Sequence, residues 1–459
     1  MYKINFNKPL HIHFIGIGGI SMSGLAEILL DEGFTVSGSD TKESPLTVML
    51  TQRGASVFYG QNADNIPATT EAVVYTAAVH EDNPEYEEAV RRNLPMLSRA
   101  ELLGQLMTNY EMPICVSGTH GKTTSTSMLT HILLAADADP TISVGGILKA
   151  IGGNIRVGHS EIFVTEACEY TNSFLHFFPK IGIILNIEED HMDFFKDLAD
   201  IRNSFHRFAC LLPEDGSLII NGEIDHYEEI AKGISCPVIT FGMKPEFDYC
   251  ASDIRHSEDG NISFTLMIRQ KEVGRIQMSV PGIHNISNAL STIAAADLLG
   301  ISFEAIQKGL LSFHGTARRF EYKGTRNGVT IVDDYAHHPT EILATLTAAE
   351  NYPHKELWCV FQPHTYTRTK AFFHEFAEAL SSADHVVLAD IYAAREHDDL
   401  GISSKQLAEE IKKTGCDVHY LPSFEAIEAF LAKHCQNGDL LITMGAGDVV
   451  NIGENLLKE

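Results

Sequence analysis

Positive charge is in short supply. Lys and Arg number 34 against 61 Asp and Glu across 459 residues, a formal net charge of −27. A surface so acidic repels polyphosphate backbones, which excludes nucleic acid as a partner. Long apolar runs are also missing. None approaches the roughly 18 residues a bilayer demands, and the best local candidates, such as residues 181–185, have the length of buried strands, so membrane insertion is excluded. Lys3 and Lys8 precede a Gly-containing stretch with no small-residue cleavage site, and no secretory leader is expected. The eight Cys lack any Cys-x-x-Cys pair. They read as small buried thiols of a reducing compartment, and a cytoplasmic location is expected.

Disorder is excluded as well, because 44% hydrophobic and 21% charged residues sit close to the globular average. At about 100–200 residues per domain the length predicts about three domains. Strand-like apolar runs alternate with helix-length amphipathic segments, which predicts an α/β protein with parallel sheets. Polar stretches place the expected boundaries so that the domains cover residues 1–107, 108–317 and 318–459. Alternation within residues 247–280 predicts an added antiparallel patch. No internal repeat or low-complexity tract is visible.

Three strand-loop-helix units carry the chemistry. The first, Gly16-Ile17-Gly18-Gly19-Ile20-Ser21, follows the strand over residues 11–15 and is trailed by a second strand leading to Asp40. Glycines let backbone approach a diphosphate at a helix N-terminus, and an acid about 20 residues on can accept ribose hydroxyls. Ser21 replaces the third glycine, so a ligand-free turn is the competing reading, and a phosphate-bearing ligand need not be NAD. The second unit, Ser117-Gly118-Thr119-His120-Gly121-Lys122-Thr123-Thr124, is a phosphate loop, although Val116 stands where a strict Walker pattern has Gly. Its backbone amides cradle phosphates, Lys122 meets the β and γ groups, and Thr123 reaches Mg²⁺. Nearby strands end at Glu166 and at Asn186, followed by Asp190, His191 and Asp193, all candidate metal ligands. Local capping or a salt bridge by Asp190 is the bland alternative.

Asn285 and Asn288 open a helix, with Asn288 a plausible N-cap; their amides could also pair with a base edge. The third unit, residues 333–339, reads Asp-Asp-Tyr-Ala-His-His-Pro, which lacks the third ligand of a structural zinc site. Residues 361–368 end a strand in a cationic loop suited to a carboxylate. A Rossmann-like first domain, a phosphate-loop central domain and a Rossmann-like third domain are therefore expected.

Taken in order, these motifs resemble the Mur ligases, in particular their alanine-adding branch. The resemblance rests on the Gly16 loop with Gly38-Ser39-Asp40, residues 118–124, Glu166-Ala167-Cys168-Glu169-Tyr170, Asn186 through Asp193, His284-Asn285, Arg318-Arg319-Phe320 and residues 333–339, and it spans essentially the whole chain. It implies ATP-dependent amide synthesis, with UDP-N-acetylmuramate, L-alanine and ATP as small-molecule partners, Mg²⁺ as cofactor, and a monomer or weak homodimer. Gly16, Gly18, Gly19, Ser39, Asp40 and Thr76 would hold the uridine diphosphate sugar. Gly118, Thr119, His120, Gly121, Lys122, Thr123 and Thr124 would hold ATP phosphates, with Asn285 and Asn288 at adenine, Asp334 at ribose and Arg319 at the γ-phosphate. Thr123, Glu166 and His191 match the family's magnesium positions; Tyr335, His337 and Arg368 match those that meet alanine. Lys122, Glu166, His191, Arg319 and His337 would carry the catalysis.

Three departures accompany it. Thr365 stands where many relatives have Arg, Cys168-Glu169-Tyr170 replaces Asp-Glu-Ser, and His206 and Arg207 occupy the region of the carbamylated lysine of sibling ligases. A ligase that recycles a whole tripeptide onto the same sugar nucleotide is the nearest alternative, Tyr335 favouring alanine over it. An NAD-dependent oxidoreductase would explain the first loop but not the second.

Overall fold

The structure is a computed structural model that describes residues 2–458 apart from 77, 78, 193, 258–260, 395, 397 and 399. It is α/β throughout, as the alternation of apolar runs predicts. The chain packs as two compact units, one made of Met1–Glu188, Ala199–Thr240 and Ala294–Ala305, the other of Glu189–Leu198, Phe241–Ile293 and Ile306–Glu459.

The first unit contains two sheets. One is wholly parallel, in the order Ser56–Tyr59, Thr35–Asp40, His11–Ile15, Ala72–Tyr75, Met96–Ser98. The order reverses at His11–Ile15, so the crevice beyond its carboxyl end, where ligands bind in open α/β sheets, falls on the Gly16 loop. The other runs Ser217–Asn221, Ile181–Ile184, Met112–Ser117, Ile162–Ala167, Thr141–Leu148, Gly153–Arg156, parallel except for its last pair. Met112–Ser117 lies between Ile181–Ile184 and Ile162–Ala167. The loops that leave all three strands therefore gather at one edge.

Glycine fuses these two layers. Helix Ile20–Asp31 carries Gly24, where a Cβ would lie 1.8 Å from the Ile155 side chain, and helix Arg99–Met107 carries Gly104, where a Cβ would lie 2.0 Å from the carbonyl oxygen of His176. Contacts this close join the first two α/β layers into one unit. Helix Arg99–Met107 starts at a capping box: Glu101 N donates to Ser98 Oγ at 3.2 Å, and Ser98 N donates to Glu101 Oε2 at 2.7 Å. Two orphan amides are thereby satisfied and the entry angle of the helix is fixed.

The second unit contains a six-stranded sheet, in the order Glu321–Arg326, Val329–Asp334, Leu440–Met444, Leu357–Phe361, His385–Leu388, Asp417–Tyr420, with only the first pair antiparallel. Leu440–Met444 and Leu357–Phe361 are buried at every residue. Both faces are covered, which is why they read as continuous apolar runs. The unit also holds an antiparallel ladder of Tyr249–His256, Ile262–Ile268 and Lys271–Gln277, the patch that alternation predicted.

Replacing Gly104 by Ala is expected to cost about 1–3 kcal/mol through overpacking, despite a helix-propensity gain of up to about 1 kcal/mol. At Gly153, nothing lies nearer a built Cβ than 4.0 Å, and Ala there should change stability by less than about 0.5 kcal/mol. Urea unfolding of the two variants checks the contrast; equal midpoints would remove Gly104 from the layer contact.

Candidate active site

The first glycine loop is shaped by backbone. Gly16 N and Ile17 N both donate to Ser39 O at 2.9 Å, and Gly16 has φ +86°. Gly18 N donates to Asp40 Oδ2 at 2.8 Å, and a Cβ on Gly18 would meet that same oxygen at 2.8 Å. Asp40 thus holds the loop in this structure, with its other oxygen on Thr41 N. Gly19 caps helix Ile20–Asp31 without any side-chain bond, which leaves its first amides to an anion. Thr76 borders Gly16, whose Cβ would lie 3.0 Å from the Thr76 methyl.

Beneath the loop lies a buried polar network that sequence reading missed. His13 Nε2 and Glu85 Oε2 are 3.0 Å apart at 0% side-chain exposure, and Ser39 Oγ donates to Glu85 Oε2 at 2.6 Å. Glu85 Oε1 accepts from Asn65 Nδ2 at 2.7 Å and from Asn62 N at 3.2 Å. Burial works to raise the Glu85 pKa, but the bonds from His13, Ser39 and Asn65 outweigh it and hold the carboxyl below its usual range. Ser39 is thereby locked by a group 46 residues away.

The phosphate loop requires left-handed backbone at Gly118 (φ +144°) and Gly121 (φ +83°). A Cβ on Gly118 would lie 2.9 Å from that of Leu185. Helix Lys122–Ala135 begins directly at the lysine, with Gly121 as its cap. Asn186, a metal candidate by sequence, clamps the loop instead: its Oδ1 accepts from His120 N at 2.7 Å and its Nδ2 donates to His120 O at 3.1 Å. Lys122 Nζ donates to Thr119 O at 3.0 Å and to Glu169 Oε2 at 3.0 Å. Burial alone would lower its pKa, but Glu169, 2% exposed, reverses this and holds the ammonium charged well above the usual lysine range. Glu169 is the residue that motif reading undervalued. Thr123 Oγ1 donates to Glu166 Oε2 at 3.0 Å, while Gly145 N donates to the other carboxylate oxygen. Thr124 follows on the same partly open turn.

The second unit carries the remaining candidates. Asp190 Oδ1 accepts from His191 N at 2.7 Å and from Arg368 Nη2 at 2.9 Å, with both side chains nearly buried. Burial opposes the Asp190 charge, but Arg368 and then His191 hold its pKa far below the carboxylate range. Asp190 thus has both the local partner that the sequence allows, His191, and a distant one, Arg368. His191 has φ +54°; Asp193 lies outside the described residues. His337 Nδ1 donates to Tyr335 O at 3.0 Å, which leaves Nε2 as the lone-pair nitrogen. Burial, reinforced against charge by Arg368, lowers the His337 pKa to about 4, although Glu341 opposes it. Burial and Arg368 likewise bring His364 to about 4. Thr365, at φ +68°, caps the short helix Tyr366–Ala371 that carries Arg368.

Arg318 and Arg319 both lie over the Tyr335 ring, at 5.0 and 5.3 Å. Arg318 is tied down by Asp333 at 2.9 Å and by the carbonyls of Gly445 and Gly447, whereas among the described residues the ion pair of Arg319 is a longer one, to Glu341 at 3.6 Å. Asp334 accepts from Phe320 N and Ala336 N, both at 2.7 Å, and burial raises its pKa to about 6 against the pull of Arg319. Asn288 is not an N-cap. Helix His284–Leu298 starts four residues earlier, because Asn285 Nδ2 closes the turn onto Pro281 O at 2.6 Å, and Asn288 Nδ2 donates to Asn285 Oδ1 at 3.2 Å. In the first unit, His206 Nδ1 donates to Ile230 O at 3.0 Å.

Comparison with known proteins extends these findings. Residues 11–111 match the family model described as Mur ligase family, catalytic domain, residues 116–296 the Mur ligase middle domain, and residues 318–447 the Mur ligase, glutamate ligase domain. A UDP-N-acetylmuramate–L-alanine ligase of Agathobacter rectalis is 60% identical over the full length of both chains. Among solved structures, the chain is similar to a UDP-N-acetylmuramate–alanine ligase of Thermotoga maritima (TM-score 0.81, 28% identity, 98% of each chain). It is also similar to a murein peptide ligase of Psychrobacter arcticus (TM-score 0.70, 27% identity, 98% of each chain).

The depressed imidazoles set a pH dependence. Unfolded His337 and His364 take up protons below about pH 6.5, whereas the folded ones refuse them until about pH 4. Each therefore withdraws up to about 1.4 kcal/mol of stability per pH unit across that window as pH falls. Asp334, with its folded pKa raised, works in the opposite direction below about pH 6. With His284 lowered by burial to about 4 as well, the three imidazoles outweigh the raised carboxyls of Asp333 and Asp334, so the urea midpoint should drop between pH 7 and pH 5, and less steeply in His337→Asn. A midpoint that rises on acidification would contradict this balance.

Proposed function

The chain belongs to the Mur ligase family, and from that premise we propose that it joins L-alanine to the carboxylate of UDP-N-acetylmuramate. ATP is consumed, and UDP-N-acetylmuramoyl-L-alanine, ADP and phosphate result, a step of peptidoglycan synthesis. The observation that carries the reading is end-to-end identity of 60% with a relative bearing that name, joined to a phosphate loop whose lysine is held charged by Glu169.

The charges set the chemistry. A carboxylate attacking the γ-phosphorus of ATP meets a polyanion, so the step needs cations fixed in advance. Lys122 is such a cation, pinned by Glu169 and Thr119, and Arg319, weakly held at 3.6 Å by Glu341, is proposed for the γ-phosphate. Attack gives an acyl phosphate and ADP. The neutral amine of alanine then attacks the acyl carbon, and the tetrahedral adduct expels phosphate to leave the amide. Thr123 and Glu166 offer the hard oxygen donors that suit Mg²⁺, and the family resemblance adds His191 to the proposed ligands. When bound, that ion neutralises phosphate charge.

Gly16, Gly18, Gly19, Ser39, Asp40 and Thr76 are proposed for the sugar nucleotide, Asn285 and Asn288 for adenine, and Asp334 for ribose. His337 is proposed to orient the amine through Nε2. An imidazole with a pKa of about 4 is too weak a base to take a proton from alanine's ammonium, so positioning suits it better than deprotonation. Arg368, which donates to Asp190 through Nε and Nη2 and meets His364 through Nη1, keeps further N–H groups that are proposed for the alanine carboxylate, and Tyr335, its ring 5.5 Å from that of His337, is proposed with them. Cytoplasmic residence belongs to the proposal, supported by eight free thiols. Among the described residues no helix is long and apolar enough to cross a membrane. The tripeptide-recycling reading has less support, since the relative of 60% identity bears the L-alanine name, and an NAD reading leaves Lys122 without a task.

Phosphate release from MgATP is expected to require UDP-N-acetylmuramate and L-alanine together, with a product heavier by one alanine residue. Release indifferent to the sugar nucleotide would overturn the substrate assignment, and preference for the tripeptide over alanine in competition would favour the recycling reading. Glu169→Gln should lower kcat by about 10- to 1000-fold, since the lysine loses its fixed counter-charge.

A further inference from the structure

The eight cysteines all lie among the described residues as free thiols, and Cys210 is the exposed one; the other seven are buried or half-buried. It also has a base beside it. Cys210 Sγ lies 3.6 Å from His206 Nε2, one helical turn earlier. The far side of that ring is held: Nδ1 faces the carbonyl oxygen of Ile230 at 3.0 Å. A carbonyl only accepts, so Nδ1 carries the hydrogen and Nε2 keeps its lone pair for the thiol. Nucleophile, base and orienting acceptor thus follow one another in the sequence that activates a cysteine.

Packing fixes the arrangement. Helix Leu198–Ala209 is extended by one more bond, Cys210 N to His206 O at 3.0 Å, so thiol and imidazole share a face. Phe208 and Leu212, on either side of Cys210, press on strand Ile181–Ile184, where a Cβ on Gly182 would lie 3.4 and 3.3 Å from them. Phe208 also stacks on Phe174, with centroids 4.8 Å apart. The last turn of a helix favours a cation and disfavours an anion. His206 is therefore the better seat for the proton, and a charged sulfur needs that imidazolium next to it. Arg207, exposed and three positions before Cys210, puts a second cation within reach. The helix joins Ile181–Ile184 to Ser217–Asn221, which are parallel neighbours, so it returns from the carboxyl ends of the strands to their amino ends. Cys210 consequently sits at the opposite end of this sheet from Asn186 and the phosphate loop.

We propose that Cys210, with His206 as its base, is a site of reversible thiolation that takes small anionic disulfides. The thiol proton passes to His206 Nε2, and the thiolate attacks one sulfur of the disulfide. A new S–S bond forms as the old one breaks, and the departing thiolate takes the proton from His206. One thiol and one disulfide become a mixed disulfide and another thiol, so no further oxidant is consumed, and a dithiol reverses the exchange. This chemistry is independent of the ligase reaction and lies away from its proposed residues.

The test incubates the full chain at pH 7 with glutathione disulfide or with the uncharged hydroxyethyl disulfide, and follows adducts by intact mass and peptide mapping. A single adduct is expected, on Cys210, absent from Cys210→Ser and released by dithiothreitol. His206→Gln, whose amide can still donate to Ile230 O, should slow both disulfides by about 10- to 100-fold. Arg207→Gln should slow glutathione disulfide alone, by about 10-fold. Urea midpoints matching wild type show that the variants fold, and His206→Asn gives a second reading should Gln unsettle the helix end. Reaction first at another cysteine, or rates unchanged without the imidazole, would overturn the site. An Arg207→Gln that slows both disulfides equally, or neither, would overturn its preference for anions.

Discussion

The ammonium of Lys122 is the charge on which the first unit depends. It is mostly removed from water, where an unpaired cation is costly by several kcal/mol, and Glu169 supplies the counter-charge at 3.0 Å. That pairing requires two parallel strands in one register, Ser117 opposite Ala167, so that the loop after one strand faces the loop after the other. It also requires two left-handed glycines, Gly118 and Gly121, to turn the chain back over the strand ends. Sheet register, loop geometry and electrostatics are thus a single constraint, with Asn186 clamping the loop from the third strand.

The second unit combines charged and neutral groups at close quarters. Asp190 and Arg368 are kept ionised by each other, while His337 and His364, buried near the same guanidinium, are kept neutral. A low-dielectric setting favours either a matched ion pair or an uncharged ring. One group can therefore fix an anion while its neighbour offers a lone pair, a division useful to a reaction that joins a carboxylate and an amine.

The first sheet adds a third arrangement, in which a buried His13–Glu85 pair underlies Ser39. Every polar atom of Glu85 has partners, so the network rigidifies the glycine loop above it.

By itself the sequence determined the α/β class, the antiparallel patch and both glycine loops, because apolar periodicity and glycine at positive φ are local properties. The residues after the strands were legible for the same reason: a strand end followed by polar groups marks a site wherever a parallel sheet forms. The tertiary structure alone decided which of those groups act together. Glu169 rather than a nearer residue holds Lys122, Asn186 clamps a loop 66 residues earlier, and Asp190 meets Arg368 178 residues later. It also moved Asn288 from a cap into a helix interior and set His337 neutral. Ion pairing and desolvation depend on distance and burial through space, and neither is written in the spacing of residues along a chain.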